Sequence, residues 1–243
     1  MLHQVARFSS VVPFIQEVAP GELLDVGSGS EGVASWLGPE WRVTAVDVSF
    51  AAIGAMAGPL APANRKVIGD VRDLPFEDDS FDVGLALDVL EHITAADRAR
   101  AIDELVRVTR RRVIVACPTG QEAFAADRRL AARLRGRGMR PPTWLIEHEA
   151  NGFPEREDLE AWLAERGELR LVANENVRWH ELLFRFEARR PGSHLSRMVA
   201  ELVAARVEAR GVVRRLSRIA AVATQGPRRS PWYRTIAVLD LAG

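Results

Sequence analysis

Four aspartates, Asp25, Asp47, Asp70 and Asp88, stand at or beside the ends of four successive short apolar runs. Carboxylates spaced in this way can grip several parts of one polar ligand. The first run, Leu23-Leu-Asp-Val26, opens into Gly27, Gly29 and Gly32, which fit G-x-G-x-x-G. Glycine in such a loop admits positive φ and lets the backbone approach a ligand, and a helix start behind it presents free N–H groups. Asp47 lies 20 residues after Gly27, where a carboxylate can accept both hydroxyls of a ribose. Loop and acid in this register point to a nucleoside-bearing cofactor. Asp25, two residues before Gly27, suits a ligand with an amine and a sulfonium better than a pyrophosphate. Asp70, in Gly69-Asp-Val-Arg-Asp-Leu-Pro-Phe76, can accept from an adenine amino group, with Val71 offering apolar contact.

Histidines supply the candidate bases. His92 follows the fourth run, and an imidazole of ordinary pKa, about 6.5, takes up protons near neutrality. The competing reading is a helix-start histidine bonded to backbone. His148 lies in Trp144-Leu-Ile-Glu-His-Glu-Ala-Asn-Gly-Phe-Pro154, read as a loop that brings it to the substrate side. His180, in Arg178-Trp-His-Glu, is a weaker candidate. No metal is expected, because there is no H-E-x-x-H and no second ligand cluster in register with Glu147-His148-Glu149. The single cysteine, Cys117, reads as a small core hydrophobe and excludes an internal disulfide.

The elements that must position these groups alternate. The runs Glu22–Val26, Arg42–Asp47, Arg65–Ile68, 82–87 and 112–117 are short and almost continuously apolar, as strands covered on both faces are. Amphipathic stretches such as 95–108 separate them. Strand–helix alternation implies right-handed crossovers and a parallel sheet wrapped by helices. Beyond residue 120 the reading is a helix over 121–138, a loop over 140–154, a helix over 155–166 and a strand over 168–174. A long amphipathic helix follows over 195–219, then a turn-rich loop over 226–231 and a last strand over 233–241.

Thirty-three basic residues balance thirty-three acidic ones, so no global field draws the chain to nucleic acid or membrane, and nucleic acid is not the expected partner. With 47% apolar and 27% charged residues a wholly disordered chain is excluded. No apolar run approaches the roughly 18 residues of a membrane span. The stretch 8–15 lacks the basic lead and cleavage site of a signal peptide, so a cytoplasmic protein is expected.

The motifs Asp25-Val-Gly-Ser-Gly, Ala45-Val-Asp-Val-Ser49, Gly69-Asp-Val-Arg-Asp-Leu-Pro-Phe76 and Phe81-Asp-Val with Leu90-Glu-His-Ile93 resemble those of class I S-adenosylmethionine-dependent methyltransferases that modify small molecules. The final Pro231-Trp-Tyr-Arg-Thr-Ile-Ala-Val-Leu239 is similar to that family's antiparallel last strand. The resemblance implies S-adenosylmethionine as cofactor and S-adenosylhomocysteine as product. It implies that Asp25, Gly27 and Gly29 hold the methionine end and Asp47 the ribose. Val48 would lie against the adenine, Asp70 and Val71 at its edge, and Asp88 beside the methyl-transfer site. The chain departs from the family at Glu31, where a third glycine is usual.

The expected architecture is one α/β domain over 1–243: a doubly wound, mostly parallel seven-stranded sheet with an antiparallel last strand, and a small helical cap from 121–154 and 189–229. The expected acceptor is a small molecule or glycan-like group, and the arginine-rich stretches raise the expectation that it is anionic. The helix over 195–219 could serve a homo-oligomer interface. Two rival readings are an NAD(P)-dependent oxidoreductase, motivated by Gly27, Gly29, Gly32 and Asp47, and a non-catalytic protein of the same fold.

Overall fold

The computed structural model describes residues 2–30, 32–55, 65–187 and 231–242. The apolar runs form strands β1 (Glu22–Val26), β2 (Arg42–Asp47), β3 (Arg65–Ile68), β4 (Phe81–Leu87) and β5 (Thr109–Pro118). Strands β6 (Gly167–Asn176) and β7 (Trp232–Leu241) complete one sheet, in the order β3-β2-β1-β4-β5-β7-β6. The first five strands pair in parallel, and β7 runs antiparallel to both β5 and β6. Because β1 pairs with both β2 and β4, the winding reverses between β1 and β4. A crevice opens there, off the carboxyl ends of the strands.

Why the runs are almost continuously apolar is visible in the two cores. Successive residues of a strand point to opposite faces. On one face Leu23, Val83, Leu85 and Ile114 pack with Phe8, Val11, Val12 and Ile15 of helix α1 (Leu2–Ile15). On the other, Leu24, Ala86, Val113 and Val115 pack with Ile102 and Leu105 of α3 (Arg98–Arg107) and Leu159 and Leu163 of α6 (Arg156–Leu163). The remaining helices are α2 (Phe50–Ala55), α4 (Gly120–Arg135), α5 (Thr143–Asn151) and α7 (Val177–Glu187). Among the described residues no helix is long and apolar enough to cross a membrane.

Four elements differ from the sequence reading. Helix α1 was hidden by Pro13, which sits inside it and ordinarily signals a break. The helix expected behind the glycine loop is only a 3-10 turn, Ala34–Trp36, because Gly32, Gly38 and Pro39 leave too few residues for a stable α-helix. The segment read as a loop around His148 is α5: Pro142 stands immediately before it and Gly152, at φ +64°, closes it, so the apparent breakers are its two ends. Helix α7, which carries His180, was not assigned at all. The expected helix over 195–219, most of the loop over 226–231 and the cap part over 189–229 lie outside the described residues.

Candidate active site

The glycine loop is held open by two carboxylates behind it. Gly27 and Gly29 adopt φ +65° and +61°. A Cβ on Gly27 would sit 2.4 Å from Val89 Cγ2, so this turn against the end of β4 admits only glycine. Asp47 accepts the Gly29 N–H at 2.9 Å through one oxygen and the Ser49 N–H at 2.8 Å through the other, tying the loop to the end of β2. Asp25 is 3% exposed and accepts the Val33 N–H at 2.7 Å. Burial is the main reason its carboxyl is pushed up to about 6, against the lowering effect of the Val33 N–H and of Arg7.

The loop opens into a cleft of about 830 Å³ at the switch point, within the usual size range of ligand pockets. Gly27, Gly29, Asp47, Val48, Asp70, Val71 and Asp88 line it, together with His92 and His148. Asp25 does not: its carboxylate lies behind the loop. Glu31, the departure from the family motif, lies outside the described residues. Val48 is 67% exposed at the rim, leaving apolar surface for a planar base. Asp70 is fixed by Arg72, whose Nε and Nη2 donate to it at 2.9 and 2.6 Å, and this pairing holds the Asp70 carboxyl below its ordinary range. Arg72 also reaches Asp97 at 3.0 Å.

The opposite end of the cleft carries a network that the sequence did not reveal. Asp88, at φ +54°, is met by Arg7 Nε at 2.9 Å and by two nitrogens of Arg234. Burial alone would raise the Asp88 carboxyl, but Arg234 and Arg7 hold it below its ordinary value. Arg234 Nη1 donates to Glu175 at 2.9 Å, and Glu175 bonds His180 Nδ1 at 2.9 Å. Asp127, fully buried, bonds His148 Nδ1 at 2.6 Å, accepts the Tyr233 hydroxyl at 3.0 Å and lies 3.4 Å from His180 Nε2. Burial lowers the basicity of His180, yet Asp127 and Glu175 outweigh it and the net shift is upward.

His92 is bonded through Nδ1 to Glu147 Oε2 at 2.7 Å, and its ring lies 5.0 Å from that of His148. Burial, then the neighbouring His148, holds His92 below 6.5 despite Glu147. Helix α5 makes this meeting possible by packing on the 3-10 turn Leu90–His92. Glu91, beside His92, is 1% exposed, and its Oε2 has no hydrogen-bond partner among the described residues. Sequence reasoning missed Arg7, Glu91, Asp127, Glu175 and Arg234. Arg234 stood in a motif already singled out, Pro231-Trp-Tyr-Arg, and Glu91 in another, Leu90-Glu-His-Ile93. Two arginines of α4 are paired locally, Arg129 with Glu181 and Arg135 with Glu149, which leaves less of the α4 charge for an anionic acceptor.

Residues 24–117, the segment that builds the loop and most of the cleft, match the family model described as Methyltransferase domain. The chain is 29% identical over 115 residues to the chloroplastic tocopherol O-methyltransferase of Arabidopsis thaliana, a match covering 44% of this chain and 32% of that protein. It therefore spans about a third of the length of that curated relative. Among solved structures it is similar to a possible histamine N-methyltransferase from Thermotoga maritima, with a TM-score of 0.55, 14% identity and coverage of 98% and 92% of the two chains. It is also similar to magnesium protoporphyrin IX methyltransferase from Synechocystis with bound S-adenosylhomocysteine (TM-score 0.54, 15% identity, 99% and 84% covered). Phosphoethanolamine N-methyltransferase 2 of Haemonchus contortus, in complex with S-adenosyl-L-methionine, gives a TM-score of 0.58 at 15% identity, with 97% and 52% covered. At these identities the likeness is one of fold.

The sheet order, the antiparallel seventh strand and the glycine-loop cleft define the class I methyltransferase fold. Taken with the match of residues 24–117 to a methyltransferase domain, they give the chain the fold of solved methyltransferases that hold S-adenosylmethionine or S-adenosylhomocysteine. The cleft fits that group: a glycine cradle at one side, carboxylates at three strand ends, and room for a nucleoside with a second molecule beside it.

Proposed function

We propose that the chain transfers the methyl group of S-adenosylmethionine to a small-molecule acceptor whose reacting oxygen or nitrogen carries a proton. The observation that supports this most is the polarity of the cleft. The glycine loop, Asp47 and Asp70 lie at one end, and two histidines with carboxylate-backed Nδ1 atoms lie at the other. When bound, the cofactor supplies a methyl group already activated by a sulfonium, so placement of the acceptor on the transfer axis does much of the work.

In this reading Gly27 and Gly29 let the backbone approach the methionine end. Asp47, with its two N–H bonds made, keeps lone pairs for the ribose hydroxyls. Val48 and Val71 flank the adenine, and Asp70 accepts from its amino group. Asp25 acts through the loop it braces, and Asp88 borders the reacting atoms. The acceptor's proton leaves at the end of the cleft where His92, His148 and Glu91 gather, with α4, α5 and α7 as the cap over the acceptor. The relatives named above include methyltransferases of small molecules on oxygen and on nitrogen, which supports a small acceptor over a polymer.

Calorimetry with S-adenosylhomocysteine and NAD, followed by transfer of labelled methyl from S-adenosylmethionine to a library of hydroxylated, amino and glycan acceptors, tests the reading. Micromolar binding of S-adenosylhomocysteine alone and label on a small acceptor are expected. Binding of NAD instead, or label only on nucleic acid or protein, overturns it.

A further inference from the structure

We propose that Glu91, His92 and His148 form a binding site for one divalent transition-metal ion at the acceptor end of the cleft. Each offers a ligand atom, and these atoms lie within 4.8 Å of one another. Around an ion with bonds of about 2.0–2.2 Å, ligand atoms stand roughly 3–4 Å apart, so the three need draw in by only about an ångström. The inference rests on the methyl-transfer reading above and says how the acceptor is made nucleophilic.

Two independent observations carry it. The first is the support behind the histidines. The Nδ1 atom of each is taken by a carboxylate, Glu147 for His92 and Asp127 for His148. Metal-bound histidines are oriented in this way: the outer nitrogen bonds a carboxylate, and Nε2 is fixed toward the ion. The second is Glu91 itself. Its side chain is buried at the cleft wall, and one carboxylate oxygen meets no donor among the described residues. A buried oxygen of this kind needs an account. Two imidazoles and one carboxylate suit a first-row transition ion better than calcium or magnesium.

Three protein ligands leave coordination positions open toward the cleft. An acceptor hydroxyl bound there would lose its proton to water more readily. Its oxygen pair would form the new C–O bond as the C–S bond breaks, and the sulfur would keep that electron pair. The class of acceptor implied is a hydroxylated small molecule, best one with a second oxygen on a neighbouring atom to complete a chelate.

The test uses the full chain, stripped with EDTA and titrated with cobalt chloride by calorimetry and by the visible absorption of the bound ion. One Co²⁺ per chain at micromolar affinity is expected. Glu91→Gln and His148→Asn should weaken it roughly a hundredfold or more, and Asp127→Asn about 10–100-fold. S-adenosylhomocysteine should bind the stripped protein as it binds the loaded one. If Glu91→Gln loses its circular-dichroism signal, His92→Asn, at the partly exposed edge, replaces it. Absence of stoichiometric Co²⁺ binding, or equal affinity in these variants, overturns the site. Undiminished methyl transfer in EDTA overturns its catalytic part and returns the proton to the histidines directly. Failure of S-adenosylhomocysteine to bind removes the cofactor reading and leaves the cobalt result to be judged by itself.

Discussion

Arg234 of β7 holds Asp88 at the end of β4 through both carboxylate oxygens, at 3.0 and 2.9 Å, and its third nitrogen reaches Glu175. A residue from the last strand thus fixes the acid that borders the transfer site, which sits in a left-handed conformation uncommon for aspartate.

Removing that cation leaves buried Asp88 with Arg7 alone and buried Glu175 with His180 alone. Arg234→Met is expected to destabilise the protein by about 3–5 kcal/mol. Adding Asp88→Asn and Glu175→Gln should recover part of the loss, because both buried carboxylates are then neutral. Urea unfolding of the single and triple variants checks this. An equal loss in both would show that packing, not charge, dominates.

Asp25 makes stability fall as pH rises. Its folded pKa, about 6, lies above the unfolded 3.8, so folding favours the protonated acid. The stabilising contribution is complete below pH 3.8 and is lost as pH rises through about 6. At pH 8 the ionised, buried carboxylate costs about 3 kcal/mol. Asp25→Asn, a neutral near-isostere, should therefore raise the Tm of the cofactor-free protein by roughly 5–10 °C at pH 8 and by little at pH 4.5. Thermal melts at the two pH values decide it; a gap that does not widen with pH contradicts the assignment.

The two loop glycines should separate by mechanism. Gly29→Ala meets open space and bears only the cost of positive φ, about 1–2 kcal/mol, or roughly tenfold in affinity for S-adenosylhomocysteine. Gly27→Ala adds the clash with Val89 and should weaken binding more than about a hundredfold. Gly27→Ala with Val89→Ala should regain part of it. Calorimetry measures all three.

His92 and His180 should titrate on opposite sides of 6.5. At pH 6.5 His180, held up by Asp127 and Glu175 against its burial, is more than half protonated, whereas His92, held down chiefly by burial, is less than half protonated. For His180 the folded pKa is raised, so its stabilising contribution is present below pH 6.5 and disappears as pH rises through the folded value. His180→Asn should cost more stability at pH 6 than at pH 9. Imidazole NMR titrations and urea unfolding at both pH values test the pair; a His180 resonance that titrates below that of His92 would refute it.

The glycine-loop half of the cleft was written into local sequence. Strands β1 and β2 appear with the residues expected, because a strand buried on both faces must be apolar at nearly every position, and that signal lies in consecutive residues; β3 also has the expected bounds, although it is an exposed edge strand. That Gly27, Gly29, Asp47, Asp70 and Asp88 stand at strand ends was equally legible, and all five line the one cleft. The acceptor half was decided by tertiary structure. Asp127 meets His148 across 21 residues, His92 meets Glu147 across 55, and Arg234 meets Asp88 across 146. No local period records such pairs, and Pro142 and Gly152 read as loop residues until the helix they frame was seen packed on the turn that carries His92. Charges become partners only when the fold removes the water between them, and that proximity is a property of the packed elements, not of any one segment.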